Sequence, residues 1–190
     1  YRIHVHSTGD LVLDLILDIL ERLQFERPRF NHGFTIEHFG FSTPEQVDRM
    51  AVLGVNVSCN VYYLYELSGI YSCEGIGYER ASQMARVGST SRAGITTTFH
   101  SDFTMAPARP LNHAWVAANR INAEGDVMAP QERMSVEQAM RAITIDAARV
   151  LDIADDVGSI RAGKRADFTI LDDDPYVVGA EGLRDLQVLA

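Results

Sequence analysis

Four times along this chain a short run with strand character leads into a helical run, and that alternation limits the fold more than any other feature. Residues 2–6 read as a strand closed by Ser7-Thr8-Gly9-Asp10. Leu13, Ile16, Leu17, Leu20 and Leu23 then share one face of a helix, with Asp14, Asp18 and Glu21 opposite. Residues 34–38 form the next strand. They lead into Thr43-Pro44-Glu45-Gln46, a capping box with proline at the first helical position, and Gly54 ends that helix. Residues 55–59 alternate as a third strand, and residues 95–99 supply a fourth. Helices are expected over 79–87, 111–122 and 135–151, the last opened by a second capping box, Ser135-Val136-Glu137-Gln138.

Repeated strand–helix units produce a parallel sheet with right-handed crossovers. A closed barrel of such units needs eight of them and roughly 250 residues. This chain has 190 residues and four units. It is therefore either an open α/β sheet or half of a barrel. After Leu151 the pattern changes: Gly158 and Gly163 punctuate a segment that ends in Phe168-Thr169-Ile170-Leu171, which reads as a hairpin over 157–172. The long connection over 62–78, rich in tyrosine, is expected to be a functional loop.

The ends of these strands carry the reactive side chains. His4 and His6 lie on the first, His38 on the second, and Asp102 just past the fourth. In a parallel α/β sheet those ends share one rim, where active sites are built. Imidazole and carboxylate together hold Zn²⁺ or a similar ion while leaving room for water, and a nearby carboxylate can take up a proton. His6, His38 and Asp102 suit that chemistry. Each also has a structural alternative. A strand-terminal histidine can serve as a hydrogen-bonded structural residue, Asp102 can cap a turn, and one of His4 and His6 can be simple packing. Glu37 should point away from His38, because neighbouring strand residues alternate. His113 is assigned to a polar helix surface and His32 receives no role. Tyr62, Tyr63, Tyr65 and Tyr71 either line a pocket or pack the loop.

Composition narrows the partners. Net charge is −9, with 17 basic residues scattered among 26 acidic ones, so no basic stripe exists for nucleic acid or an anionic membrane. No apolar run approaches the roughly 20 residues of a membrane helix. Cys59 and Cys73 form no framework, and two thiols point to a reducing, cytoplasmic setting, although they could pair. Tyr1 opens directly into a strand, which reads as a fragment or a processed product.

Several motifs then resemble one family. His6-Ser7-Thr8-Gly9-Asp10 resembles the His-x-x-Gly-Asp motif of the YtcJ-like (amidohydrolase 3) branch of the amidohydrolase superfamily. Ile36-Glu37-His38 followed by Pro44 to Met50 is similar to the next strand and helix of that branch. Phe99-His100-Ser101-Asp102 with Pro110-Leu111 resembles its last barrel strand, and Gly158 to Phe168 its return into a small β domain. The resemblance covers nearly the whole chain. It implies an α/β fold: the C-terminal half of a (β/α)₈ barrel, strands five to eight, over residues 1–155. Residues 156–190 would be the C-terminal piece of a small β-sandwich. It also implies a divalent metal, zinc being the expected one, bound by His6, His38 and Asp102. Asp102 would be the general base for hydrolysis of an amide-like C–N bond in a small molecule. His4 and His100 are carried as candidate substrate-binding residues.

The chain departs from the family pattern in two ways. The strand-one His-x-His and the bridging ligand of strand three or four are not in this sequence, so the site would be incomplete and the isolated chain inactive. His100 stands where the motif usually has glycine. Two alternatives remain. One is a non-catalytic half-barrel, whose open edges favour self-association into a homo-oligomer. The other is a deaminase or cyclic amidase of the same superfamily.

Overall fold

A computed structural model describes all 190 residues, Tyr1 to Ala190. Strands β1 (His4–Ser7), β2 (Thr35–His38), β3 (Asn56–Asn60) and β4 (Thr97–His100) form close to their expected bounds. They lie in one sheet in the order β1-β2-β3-β4, every pair parallel. The expected parallel α/β architecture is present. Helix α1 (Asp10–Glu26) follows β1, and α2 (Pro44–Leu53) follows β2. Leu13, Leu17 and Leu20 bury one stripe of α1, whereas Leu23, expected on that face, is exposed near the helix end; Val47 and Met50 bury a stripe of α2. Both pack with Ile36, Val57 and Cys59 on one face of the sheet.

Capping boxes set the starts of two helices. Thr43 Oγ1 accepts from the Gln46 amide at 3.3 Å, and Gln46 Oε1 accepts from the Thr43 amide at 2.9 Å. Gly54 closes α2 in the left-handed conformation, at φ 69°. The second box, Ser135 with Gln138, opens a helix over Val136–Ala142. These caps hold because they satisfy the amide donors that a helix start leaves unpaired.

Two expected helices are broken, and in each case a side chain takes the carbonyls that the helix would have used. The segment expected as one helix over 79–87 is a turn at Tyr78–Ala81 followed by α3 (Val87–Arg92). Between them Arg120 donates to the carbonyls of Ser82, Met84 and Ala85 at 2.8, 2.9 and 2.5 Å, and its Nε reaches Met128 O at 2.9 Å. Arg120 itself ends α4 (Pro110–Asn119), which starts at a proline one residue before the expected bound and stops three residues short of it. The run over 135–151 divides into α5 (Val136–Ala142) and α6 (Ile145–Val150). Thr98 Oγ1 donates to the Ala142 carbonyl at 2.7 Å, and a Cβ on Gly158 would stand 2.7 Å from that of Ala148. The end of α5 is thereby tied to β4, and the later chain presses on α6.

The hairpin expected over 157–172 does not form. Gly158 and Gly163 turn the chain at φ 85° and 92°, and Lys164 ties that loop to Val157 O and Ser159 Oγ. The only ladder in this region is antiparallel, between residues 170–172 and 187–190, with Leu171 opposite Val188. Helix α7 (Pro175–Gly182) lies between these two segments. It is fastened to α4, where Trp115 Nε1 donates to Glu181 O and Asn119 Nδ2 to Ala180 O. Cys59 is buried and Cys73 exposed, and both are free thiols.

Arg120 is 1% exposed, and burial lowers its pKa to about 10, which still leaves it charged at neutral pH. Replacing it strands up to four carbonyls inside the protein, each a costly loss. Arg120→Met should destabilise the fold by about 3 kcal/mol or more, read by urea denaturation. A change within about 0.5 kcal/mol, the usual size for a surface substitution, would mean the cluster contributes little.

Candidate functional site

Strand alternation sends the two rows of side chains to opposite faces of the sheet. The register places His6 beside Glu37, Glu37 beside Ser58 and Ser58 beside Thr98, while Asn60 pairs with His100. These polar residues, with His4, share the face turned away from the apolar core. His38, as the last residue of β2, would by alternation belong to the other face. It does not stay there.

His38 has φ 72° and Phe39 φ 52°, both left-handed. That backbone redirects the His38 ring, which lies 4.3 Å from the His6 ring and 4.8 Å from the His100 ring, centroid to centroid. Each pair meets edge-on. Left-handed geometry costs a residue with a Cβ roughly 1–2 kcal/mol, and hydrogen bonds hold it in place here. The Phe39 amide points between Ser7 O and Glu37 O, 3.0 Å from each, and Phe41 N donates to Thr8 O at 2.9 Å. Gly40 allows the close approach, since a Cβ there would stand 2.7 Å from Thr8 O.

Tyr63, from the long connection after β3, stacks on His38 with rings 5.8 Å apart and inclined by 9°. Its hydroxyl is 3.3 Å from His38 Nδ1. This connection, expected as a loop, is instead helical in three consecutive segments, Tyr63–Leu67, Ser68–Ile70 and Tyr71–Gly75, and of its tyrosines Tyr63 reaches the site. Tyr62 instead packs inward against His113, accepting from Asn112 at 2.8 Å. Glu37 turns out to be tied to this face as well: its carboxylate meets His4 Nδ1 at 2.5 Å and lies 3.7 Å from His100 Nε2. The expectation that Glu37 points away from His38 describes the strand correctly. It misses the backbone reversal that brings the His38 ring back to the same side.

Asp102 lies exposed on the rim at φ 51°, its amide donating to His100 Nδ1 at 3.1 Å. Its charge acts on His38, His100 and Tyr63. Burial lowers the His38 pKa, helped by the neighbouring imidazoles of His100 and His6 and opposed by Asp102 and Glu37. Burial also lowers that of His100, against the pull of the same two carboxylates. Both imidazoles therefore favour the neutral form, which has a lone pair to offer. Tyr63 is shifted up by burial and by the charge of Asp102, which keeps it a phenol.

The structure thus gathers His6, His38 and His100 at one rim with Asp102 beside them, and leaves His4 bound to Glu37. Imidazole and carboxylate are the donors that a zinc-type ion takes. No group of three or more His, Cys, Asp or Glu side chains is yet disposed to grip a single ion. The donor chemistry fits such an ion: the His6 and His38 rings are in contact, and Asp102 is tied through its amide to the neighbouring His100.

The amidohydrolase family profile matches residues 1–190, and the chain belongs to that family. It is 28% identical over 185 residues to the N-substituted formamide deformylase of Arthrobacter pascens, spanning 97% of this chain and 34% of that protein. An uncharacterized metal-dependent hydrolase from Pyrococcus furiosus is 29% identical and superposes with a TM-score of 0.75, covering 92% of this chain and 34% of that one. An adenosine deaminase from Xanthomonas campestris with bound zinc shares the fold at 20% identity and TM-score 0.61, over 90% of this chain and 37% of that one. The chain therefore spans about a third of the length of these relatives.

Two other histidines have structural roles. His32 bridges Leu53 O and the Phe34 amide, at 2.8 and 3.0 Å. His113, expected on a polar surface, is 4% exposed, its Nε2 has no hydrogen-bond partner, and its ring meets that of Tyr62 at 5.1 Å. The mostly apolar face of α4 carries it inward. Burial, with a smaller contribution from His100, lowers its pKa to about 4, and the Pro107 carbonyl opposes the shift. A depressed histidine contributes stability above its ordinary pKa and loses it as pH falls through the folded value. Between pH 6.5 and 4 the wild type should therefore lose about 2–3 kcal/mol that a His113→Leu variant does not, measured by denaturation across that range. Parallel curves for the two proteins would refute this assignment.

Proposed function

We propose that this chain carries the C-terminal part of a metal-dependent hydrolase site that cleaves an amide-like C–N bond in a small molecule. The observation that carries it is the 4.3 Å meeting of His6 and His38 at the ends of adjacent parallel strands, with the charge of Asp102 acting on His38. The family membership and the deformylase relative support the bond type. The zinc-bound deaminase of the same fold supports zinc as the ion.

His6, His38 and Asp102 would hold the metal, with Tyr63 behind His38. When bound, a divalent ion supplies Lewis-acid polarisation of the scissile carbonyl and makes water acidic enough to attack near neutral pH. Asp102 accepts the proton of the attacking water and delivers it to the leaving nitrogen, which is why a carboxylate free to face solvent is needed there. His100 and His4 line the polar face on which the substrate lies.

Residues 1–155 are the strand-five-to-eight half of a barrel in this proposal, and residues 156–190 the C-terminal piece of a small β domain. Two features support the half-barrel. The sheet is parallel throughout, a type normally covered on both faces. The outer face of α1 also exposes Leu11, Leu15, Ile19 and Leu23 at 83, 58, 42 and 50%, an i, i+4 stripe of the kind that packs against a neighbouring helix. The isolated chain would then bind metal weakly and turn over nothing. The same stripe favours the second reading, a non-catalytic half-barrel that associates with its own copy.

Metal titration of the purified chain checks the ligands: His6→Ala and His38→Ala should each abolish whatever saturable zinc binding the wild type shows. Equal occupancy in both variants contradicts the assignment. In a full-length hydrolase containing this chain, the nearly isosteric Asp102→Asn should cut kcat by at least about 100-fold, the range for losing a general base. Its thermal transition should hardly move. Undiminished turnover would remove Asp102 from the mechanism.

A further inference from the structure

His100 is confronted by two amide donors, one carboxylate and the Ser58 carbonyl. Its Nδ1 lies 3.1 Å from the Asp102 amide, its Nε2 lies 3.3 Å from the His38 amide, and the same Nε2 is 3.7 Å from Glu37 Oε2. A neutral imidazole has one accepting nitrogen and one N–H. It cannot accept from both amides. If Nε2 accepted from His38, the hydrogen on Nδ1 would face the Asp102 N–H, and the Glu37 carboxylate would lie against a lone pair. If Nδ1 accepts from Asp102, the shorter bond is made and the Nε2 hydrogen lies on the side of the carboxylate at 3.7 Å, at the cost of leaving the His38 N–H without an acceptor on this ring. Glu37 is itself held from the far side, where His4 Nδ1 meets its other oxygen at 2.5 Å.

We propose that His100 is a positioning residue for Asp102: Glu37, steadied by His4, keeps the hydrogen of His100 on Nε2, so that Nδ1 anchors the Asp102 amide. The role rests on the reading of Asp102 as the proton-transferring carboxylate, although the hydrogen-bond relay itself does not. It also accounts for His4, which faces Glu37 and not the metal-ligand candidates. Asp102 lies exposed beyond the end of β4 in a left-handed conformation. Without an anchor, such a rim residue would sample orientations in which its carboxylate misses the reacting atoms, and misplacement by about 1 Å can cost 100-fold in rate.

The experiment is nuclear magnetic resonance on the 190-residue chain without metal. A scalar coupling between two nitrogens passes through an N–H···N hydrogen bond, so a ¹⁵N–¹⁵N correlation identifies which amide His100 accepts from. A correlation from the Asp102 amide to Nδ1 is expected, with none from the His38 amide to Nε2. The reverse pattern, or neither correlation, overturns the proposal. Amide exchange provides the second readout. His100→Leu should accelerate exchange at Asp102 about tenfold, the value of one hydrogen bond, with exchange at Val57 in β3 as the control for folding. His100→Asn should return it to near the wild-type rate, because an asparagine oxygen accepts from the amide two residues on. Glu37→Ala, which removes the bias on the ring hydrogen, should weaken the Asp102 correlation and speed exchange several-fold. If His100→Leu fails to fold, the Asn and Glu37 variants still decide the matter. Equal Asp102 exchange in wild type and Glu37→Ala refutes the relay. No metal enters these measurements, so failure of the hydrolase proposal would show in metal binding while the correlation stood, and failure of the relay would show here while metal binding stood.

Discussion

A parallel sheet brings the C-terminal end of every strand to one rim, and the site described here depends on how the chain leaves that rim. At β2 it leaves through two left-handed residues in succession, His38 and Phe39. In the regular strand conformation the His38 ring would join Ile36 among the core side chains. The reversal instead sets it against His6 from the strand on one side, with His100 of β4 and Tyr63 of the long connection also in contact. Strained backbone persists only where surrounding contacts outweigh its cost. Here those contacts are the burial of Phe39, the amide bonds to the carbonyls of Ser7 and Thr8, and the absence of a Cβ at Gly40.

The environment that builds the site also sets its chemistry. At His38 and His100 burial favours the neutral imidazole, and at His38 the neighbouring rings of His100 and His6 add to it, since protonation there would place positive charges side by side. Neutral imidazole is the form that donates a lone pair to a metal. The carboxylates oppose this shift without reversing it: Asp102 and Glu37 raise the affinity of His38 for a proton, but burial remains the larger effect. Farther out, Arg120 ties residues 82–85 to Met128, and Ser89 and Glu132 tie α3 to the turn at Pro130–Glu132. These buried polar links hold the segments around β3 and β4 without a regular helix.

Much of this was legible in the amino-acid sequence. The four strands, both capping boxes, Gly54 as a helix stop and the parallel order all follow from local periodicity and turn chemistry, and they appear in the structure. That strand ends share a rim singles out His6, His38 and Asp102 as candidates, and the structure brings the first two rings together while Asp102 lies exposed beyond β4. What could not be read were contacts between segments distant in sequence. Nothing near residues 82–85 says that Arg120 will take their carbonyls, and nothing near residue 142 says that Thr98 will. The hairpin near Gly163 fails for a similar reason, because residues 170–172 pair with the last residues of the chain. Glu37 looked remote from His38 because strand alternation is a rule about regular backbone, and the backbone there is not regular. His113 was placed on a surface because a histidine in a helix is usually exposed, whereas α4 is buried nearly all round.

The central claim is that His6 and His38, from neighbouring strands, offer their lone pairs to one ion. Zinc added stepwise to the ¹⁵N-labelled chain, with the histidine ring nitrogens followed by nuclear magnetic resonance, tests this most directly. The account predicts that one ring nitrogen of His6 and one of His38 shift together along a single binding curve, while His32 and His113 stay where they are. If the two rings respond to different zinc concentrations, or if His32 or His113 responds first, the shared site does not exist.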